Sequence, residues 1–264
     1  MITPPTNFRA RPLSNAWPDV HSDRRVLLAE CDAAGGDIAS GYLRGTLDAS
    51  RGLLALAAQR SANPVEAVWQ QVLALDEDGK RLLLRGLTDP SRASAIAAAW
   101  STLGAALDGL AEQTPPIDVL LDFGRMRTVN EAALLRRRAA LVLLVTGSSL
   151  SAVVAARAAV AELRAADLGE ESPSVAALIV GEGRPYKADE ISKAVGLPLV
   201  GTLPYDPVSA AVFSHGAPAG RRFPRSPLVR SARALASALL DGVSEPTGGG
   251  TTVAVAQHAG VARG

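Results

Sequence analysis

Short runs rich in Val, Leu and Ile alternate along this sequence with longer segments rich in Ala, Leu and Arg. The short runs are typical of buried parallel strands, whose two faces are both covered and whose residues are therefore almost all apolar. The longer segments carry apolar residues at helical spacing. This alternation predicts a doubly wound α/β fold, in which a mostly parallel sheet is flanked by helices on both faces.

The pattern predicts six strands and six helices. The strands are expected at residues 26–30, 81–86, 117–122, 140–146, 175–181 and 199–203. The helices are expected at residues 53–60, 91–112, 130–138, 149–166, 188–195 and 227–240. All of these elements lie in one predicted domain, residues 26–241.

The two ends of the sequence are predicted to be irregular. Residues 1–25 contain Pro4, Pro5, Pro12 and Pro18, which makes a regular long helix the least favoured structure there. Residues 242–264 include three consecutive glycines and lack an amphipathic pattern, so a flexible tail is expected.

Composition and charge exclude several classes of protein. The formal net charge of +1 provides no long-range field for collecting polyanions, so nucleic-acid binding would need a local basic patch. Cys31 is the only cysteine, which excludes an intrachain disulfide and a Cys-rich zinc site. No apolar run approaches the roughly 20 residues of a membrane span. We expect a cytoplasmic protein without a membrane span.

Three predicted strands end in polar residues, and ligands of parallel sheets bind beyond the carboxyl ends of strands. The three segments that follow these strands are Glu30-Cys31-Asp32 with a Gly pair at 35–36, Asp122-Phe123-Gly124, and Pro204-Tyr205-Asp206. Taken singly, each segment also has a structural interpretation, because Asp often caps a helix and a Gly pair often forms a turn.

In this order and at this spacing, the three segments resemble those of the MinD/ParA group of P-loop ATPases, specifically the actinobacterial MinD-like proteins related to the CpaE/TadZ branch. The resemblance extends from about residue 25 to residue 240 and includes the stretch 197–206, which resembles a late conserved motif of that group. It implies a P-loop NTPase fold, a homodimer and protein partners. It also implies Mg-ATP as cofactor if any nucleotide binds.

The resemblance also implies roles for individual residues. Asp32 would orient an attacking water, Asp122 would hold Mg²⁺ through a water, and both would be catalytic only in an active enzyme. Gly124 would let the backbone approach the γ-phosphate. The implied cofactor-binding residues are Glu30, Gly124, Gly181, Pro204, Tyr205 and Asp206.

One expected motif is missing. The family opens with a strand, a Gly-rich phosphate loop carrying Lys and Ser/Thr, and a helix, whereas residues 2–24 contain no glycine and the three lysines are Lys80, Lys187 and Lys193. Ordinary ATP hydrolysis is therefore not expected. Two explanations remain open: a naturally degenerate protein, or a sequence that begins after the first strand and loop and whose sheet would lack its central strand.

Three function classes follow. The favoured one is a non-hydrolysing positioning or scaffold factor for cell division, chromosome partitioning or secretion-apparatus placement, for which no cofactor is needed. The first alternative is a genuine ATP hydrolase with an atypical or truncated phosphate site. The second alternative is a DNA-binding partitioning factor that would use the cluster Arg136, Arg137 and Arg138.

Overall fold

The computed structural model describes residues 10–20, 24–36, 38–45, 50–125, 133–166, 173–243 and 250–257. Within these ranges the strands are β1 (Arg25–Glu30), β2 (Leu73–Ala74), β3 (Arg81–Leu84), β4 (Ile117–Arg125), β5 (Leu141–Gly147), β6 (Ser174–Val180), β7 (Leu199–Leu203) and β8 (Thr252–Gln257). The α-helices are α1 (Arg11–Val20), α2 (Leu53–Ala58), α3 (Pro64–Gln71), α4 (Ala97–Ala111), α5 (Ala133–Arg136), α6 (Leu150–Ala166), α7 (Ala188–Val195), α8 (Pro207–His215) and α9 (Pro227–Val243). Shorter helical turns cover Ile38–Tyr42, Pro90–Ile96 and Phe223–Arg225.

The strands form one sheet in the order β2-β3-β1-β4-β8-β5-β6-β7. Every pairing is parallel except that of the two-residue edge strand β2 with β3. Alternate residues of β1 contribute to cores on opposite faces: Leu27 packs with α2 and α4, and Leu28 packs with α1 and α9. The predicted α/β class, a mostly parallel sheet flanked by helices, is confirmed.

Most predicted elements are present, with small shifts of their ends. The strand predicted at 117–122 continues to Arg125, and the helix predicted at 91–112 begins as the 3₁₀ segment Pro90–Ile96. Sequence reasoning did not identify α3, α8 or β2. Part of the helix predicted at 130–138, namely residues 130–132, lies outside the described residues. In the described ranges no helix is long and apolar enough to cross a membrane.

The prediction of a flexible tail is wrong for residues 250–257. Thr252–Gln257 form β8, which pairs in parallel with β4 on one side and with β5 on the other. Its small apolar side chains, including Val253 and Val255, are buried. A strand between two others makes hydrogen bonds along both edges, and this outweighs a weak sequence pattern. The gap expected at the centre of the sheet is therefore filled from the C-terminal part of the sequence.

The prediction of an irregular N-terminal segment is wrong for residues 11–20. These residues form α1, and Pro12 lies in its first turn, where a backbone N–H has no acceptor within the helix. Leu13, Ala16 and Trp17 are buried against the sheet face that α9 also covers. Because this apolar face is buried, packing rather than intrinsic propensity stabilises the helix.

A buried carboxylate joins four segments at the amino edge of the sheet. Asp118, at the start of β4, accepts hydrogen bonds from Trp17 Nε1 at 2.8 Å and from the backbone N of Thr251 at 2.7 Å. It also forms a two-pronged ion pair with Arg24, whose Nε and Nη2 lie 2.7 and 2.5 Å from the two carboxylate oxygens. This cluster connects α1 and the starts of β1, β4 and β8.

Candidate functional site

The carboxyl ends of β1 and β4 bring together the acids of two predicted segments. Glu30 and Asp122 are register neighbours in the parallel β1–β4 ladder, and Asp32 follows two residues after Glu30. All three are buried. The polar ends of these two predicted strands therefore lie side by side in the sheet.

Glu30 binds the backbone of its own protein. Its Oε1 accepts a hydrogen bond from the N of Ile38 at 3.1 Å, and its Oε2 accepts one from the N of Gly86 at 3.0 Å. A Cβ on Gly36 would lie only 2.5 Å from Oε1, so the second glycine of the pair allows the loop to pass over this carboxylate. Glu30 thus fixes the loop that carries Asp32.

Asp32 and Gly124 are in direct contact. Oδ1 of Asp32 accepts a hydrogen bond from the N of Ala34 at 2.8 Å, and the turn continues through Gly35, whose φ is +109°. Gly124 has a φ of +58°, and a Cβ at this position would overlap Oδ2 of Asp32. Glycine is therefore required at 124 both by its backbone conformation and by the close approach of Asp32.

Asp122 lies at the start of α1. Its Oδ1 accepts a hydrogen bond from the N of Gly124 at 2.9 Å, and its Oδ2 accepts a longer one, 3.4 Å, from the N of Ala10. A carboxylate at a helix N-terminus interacts favourably with the free N–H groups and the helix dipole. The backbone N–H of Ala10, just before α1, is thus directed at Asp122 of the same chain.

Cys31 is buried between these acids. Burial raises the pKa of its thiol well above the usual value, and the negative charges of Asp122, Glu30 and Asp32 raise the pKa further. The thiolate, which is the reactive form of cysteine, is therefore disfavoured. Cys31 acts as a small apolar residue, and we assign it no chemical role.

Sequence reasoning missed a buried amide at the end of β8. Gln257 is 6% exposed and is the register neighbour of Arg125 in β4 and of Val145 in β5. Its Nε2 has no hydrogen-bond partner among the described residues. The only signal in the sequence was the short apolar stretch 253–256 before it. Gln257 adds an amide donor at the carboxyl edge of the sheet, next to the strand that carries Asp122.

The third predicted segment lies apart from the acids. Gly181 follows β6 and donates its N–H to the carbonyl of Leu203 at 2.8 Å, which places it beside Pro204 and Tyr205. Three strands, β8, β5 and β6, separate β4 from β7, a distance of about 19 Å at the usual strand spacing. The predicted site residues therefore form two groups at the same edge of the sheet.

Two residues of this second group already have partners. The guanidinium of Arg184 lies over the Tyr205 ring, 4.4 Å from its centroid, in a cation–π contact. Oδ1 of Asp206 accepts a hydrogen bond from the N of Ser209 at 3.0 Å and so caps α8. The structural interpretation of Asp206 as a helix cap is thus correct in geometry.

The predicted arginine cluster follows β4 in and after α5. Arg138 forms an ion pair with Asp108 of α4, with Nη1 and Oδ2 3.1 Å apart. Arg136 and Arg137 also interact within the chain. Part of the positive charge of this cluster is therefore neutralised by the protein itself.

A metal ion at the candidate site would need ligands in addition to the acidic side chains at the ends of β1 and β4. Among the residues that the structure describes, no three His, Cys, Asp or Glu side chains are arranged to hold a metal ion. The carboxylates of Asp32 and Asp122 suit Mg²⁺, which usually takes one or two carboxylates together with water and substrate phosphates. The donor set fits Mg²⁺ that arrives with a nucleotide.

No family model matches the chain, and no curated protein sequence matches it. Solved structures do match. The septum site-determining protein MinD from Pyrococcus horikoshii, solved with Mg-ADP, has a TM-score of 0.64 at 18% identity, with 90% of this chain and 89% of that chain covered. The cell division ATPase MinD from Pyrococcus furiosus has a TM-score of 0.64 at 20% identity, covering 87% and 90%. A ParA family ATPase from Chlorobium tepidum has a TM-score of 0.65 at 14% identity, covering 86% and 90%. The chain therefore has the MinD/ParA-like P-loop NTPase fold.

Proposed function

We propose that this protein is a degenerate MinD/ParA-like protein that does not hydrolyse nucleotide and acts as a positioning or scaffold factor. The observation that carries the proposal is the order of α1 and β8 in the sequence. The family joins a strand to a helix by one continuous phosphate loop, whereas here the helix beside Asp122, α1, comes before the strand beside it, β8, in the sequence.

The positions of the lysines support this proposal. A phosphate site of this family needs an ammonium group beside the helix N-terminus. Lys80 precedes β3 at the amino edge of the sheet, where its carbonyl accepts a hydrogen bond from the N of Val26. Lys187 and Lys193 belong to the start and body of α7, which packs on β6 and β7. None of the three lies beside Asp122 at the start of α1.

The hydrogen bonds of the acids support it as well. Glu30 holds two backbone N–H groups, and Asp122 accepts from Gly124 and from the N-terminal side of α1. These contacts are sufficient structural reasons for the acids to be present. The partners of such a scaffold would be other proteins and a second copy of this chain, in processes such as cell division, chromosome partitioning or secretion-apparatus placement.

Calorimetric titration of the protein with Mg-ATP, and then with Mg-ADP, tests the proposal. We expect no saturable heat at protein concentrations that would detect micromolar binding. Circular dichroism of the same sample shows that the chain is folded. Saturable one-site binding that is lost in Asp122→Asn would contradict a scaffold that does not use nucleotide.

A second candidate is an ATPase with an atypical phosphate site, and the contact of Asp32, Gly124 and Asp122 favours it. Asp122 would hold Mg²⁺ through a water, and Asp32 would orient the attacking water. Mg²⁺ would neutralise charge on the phosphates when bound. The fold neighbour from Pyrococcus horikoshii was solved with Mg-ADP. For this candidate, the same titration would give saturable binding in the wild type and none in Asp122→Asn.

A further inference from the structure

The outer face of α6 is apolar and exposed to solvent. Leu150 is 62% exposed and Val154 is 60% exposed. Ala158, Ala161 and Ala165 continue the same line and are also exposed. From Val154 onward the spacing of four, three and four residues keeps one stripe along the helix. The solvent face of a helix in a monomeric protein is normally polar, so this face is suited to a contact.

The opposite face of α6 is already used. Val153, Ala156 and Val160 pack in a core cluster with β5, β6 and α7. In heptad terms the exposed stripe occupies the a and d positions, with Val154 at d and Ala158 at a, while the buried residues occupy b, c and f. The helix therefore presents an a/d seam outward from Val154 to Ala165, with the polar Ser151 at the preceding a position, while its other side holds it to the sheet.

Two charges border this seam on opposite sides. Arg157, directly before Ala158, occupies a g position. Glu162, five residues later and directly after Ala161, occupies an e position. Within the part of the chain that the structure describes, neither side chain takes part in an ion pair. A g residue and the e residue five positions on face each other across two parallel paired helices.

We propose that the α6 seam binds α6 of a second copy of this chain, with the two helices parallel and related by a two-fold axis. Val154, Ala158 and Ala161 then face their own counterparts, and the alanines let the two helices approach closely. Arg157 of each copy faces Glu162 of the other, so one self-complementary surface provides two ion pairs. The contact does not involve Asp32 or Asp122, so it forms without nucleotide.

The charges select the parallel arrangement. In an antiparallel pair, g positions face g positions. That arrangement would place Arg157 beside Arg164 of the second copy, and both are exposed arginines. Two arginines that face each other across the interface repel and would destabilise the antiparallel pair. The parallel arrangement instead places Arg157 opposite Glu162 of the other copy.

Sedimentation velocity of the full chain without nucleotide, over a range of concentrations, tests the proposal. We expect a concentration-dependent dimer, whose dissociation constant rises by about tenfold or more in Arg157→Glu and in Glu162→Arg because attraction becomes repulsion at two symmetric positions. The double variant Arg157→Glu/Glu162→Arg restores the dimer. Arg230→Glu on the exposed face of α9 makes the same charge change elsewhere and leaves the dimer unchanged.

Two results would overturn the proposal. A chain that stays monomeric at every concentration has no such interface. A dimer that Arg157→Glu strengthens has the antiparallel arrangement, because the new Glu would then face Arg164. All of these side chains are exposed, so each variant is expected to fold, and circular dichroism checks this.

Discussion

At the scale of single residues, a buried ion pair between Arg24 and Asp118 lies away from the candidate site. Asp118 is fully buried and accepts hydrogen bonds from Trp17, Arg24 and the backbone of Thr251. Removing one partner of a buried ion pair is costly because the other charge remains buried without compensation. Exposed ion pairs contribute far less, because water solvates both partners when they separate.

We predict that Asp118→Ala lowers the free energy of unfolding by about 3–5 kcal/mol. The matched control is Asp108→Ala, which breaks the exposed ion pair with Arg138 and is expected to cost about 0–1 kcal/mol. Urea unfolding at pH 7 measures both values. Equal effects of the two substitutions would show that Asp118 is not buried in this cluster.

The raised pKa of Cys31 predicts a pH dependence of stability. In the unfolded chain the thiol loses its proton near pH 8.5, whereas in the folded protein it keeps the proton to a higher pH. The folded state therefore binds more protons above that pH, and the free energy of unfolding falls by about 1.4 kcal/mol per pH unit from this group. At pH 7 the contribution is fully present.

Urea unfolding of wild type and Cys31→Ala between pH 7 and pH 10 measures this effect. We expect the difference between the two proteins to shrink or reverse as the pH rises, because only the wild type loses stability through the thiol. Parallel curves at all pH values would show that the thiol titrates normally in the folded protein.

The residues of the acidic group could be predicted from sequence, but their neighbours could not. Asp32 follows β1, Asp122 and Gly124 lie near the end of β4, and parallel strands place such residues at one edge. Asp118 was not predicted because its partners, Trp17 and Arg24, come from segments about a hundred residues away. Gln257 was not predicted because its role depends on the position of β8 in the sheet.

At the scale of secondary-structure elements, β8 depends on its neighbours. Thr252–Gln257 is a short stretch of Val and Ala after a glycine run, and such a pattern is weak on its own. Its stability comes from ladders with β4 and β5 on both sides. The long apolar runs of β5 and β6, by contrast, were evident from sequence because parallel buried strands are apolar throughout.

We predict that proline at the centre of β8 unfolds the protein. Ala254 is the register neighbour of both Leu121 and Val142, so Ala254→Pro interrupts the sheet at its middle. The matched control is Ala74→Pro in the edge strand β2, which borders solvent on one side. Thermal unfolding followed by circular dichroism is expected to show no cooperative transition for Ala254→Pro and a small shift for Ala74→Pro. A native-like transition for Ala254→Pro would contradict the central position of β8.

At the scale of the whole molecule, β8 connects the two halves of the sheet. Strands β2, β3, β1 and β4 lie on one side of it, and β5, β6 and β7 lie on the other. The acidic group at β1 and β4 and the second group at β6 and β7 belong to different halves. The candidate site therefore depends on a strand that lies far from both groups in the sequence.

The fold class followed from the alternation of strand-like and helix-like segments, since that pattern depends on local composition. The position of β8 at the centre of the sheet did not follow, because its six residues depend on the ladders with β4 and β5 rather than on a local sequence pattern. The same arrangement places α1 and β8, from opposite ends of the sequence, on either side of the acid Asp122.

The most direct test of a non-hydrolysing protein is steady-state release of phosphate from Mg-ATP by the wild type, with Asp32→Asn as the isosteric comparison. We predict that neither protein exceeds the rate of a protein-free blank, because no continuous loop with a lysine joins β8 to α1. Turnover by the wild type that Asp32→Asn abolishes, in a variant that retains its fold by circular dichroism, would contradict this account.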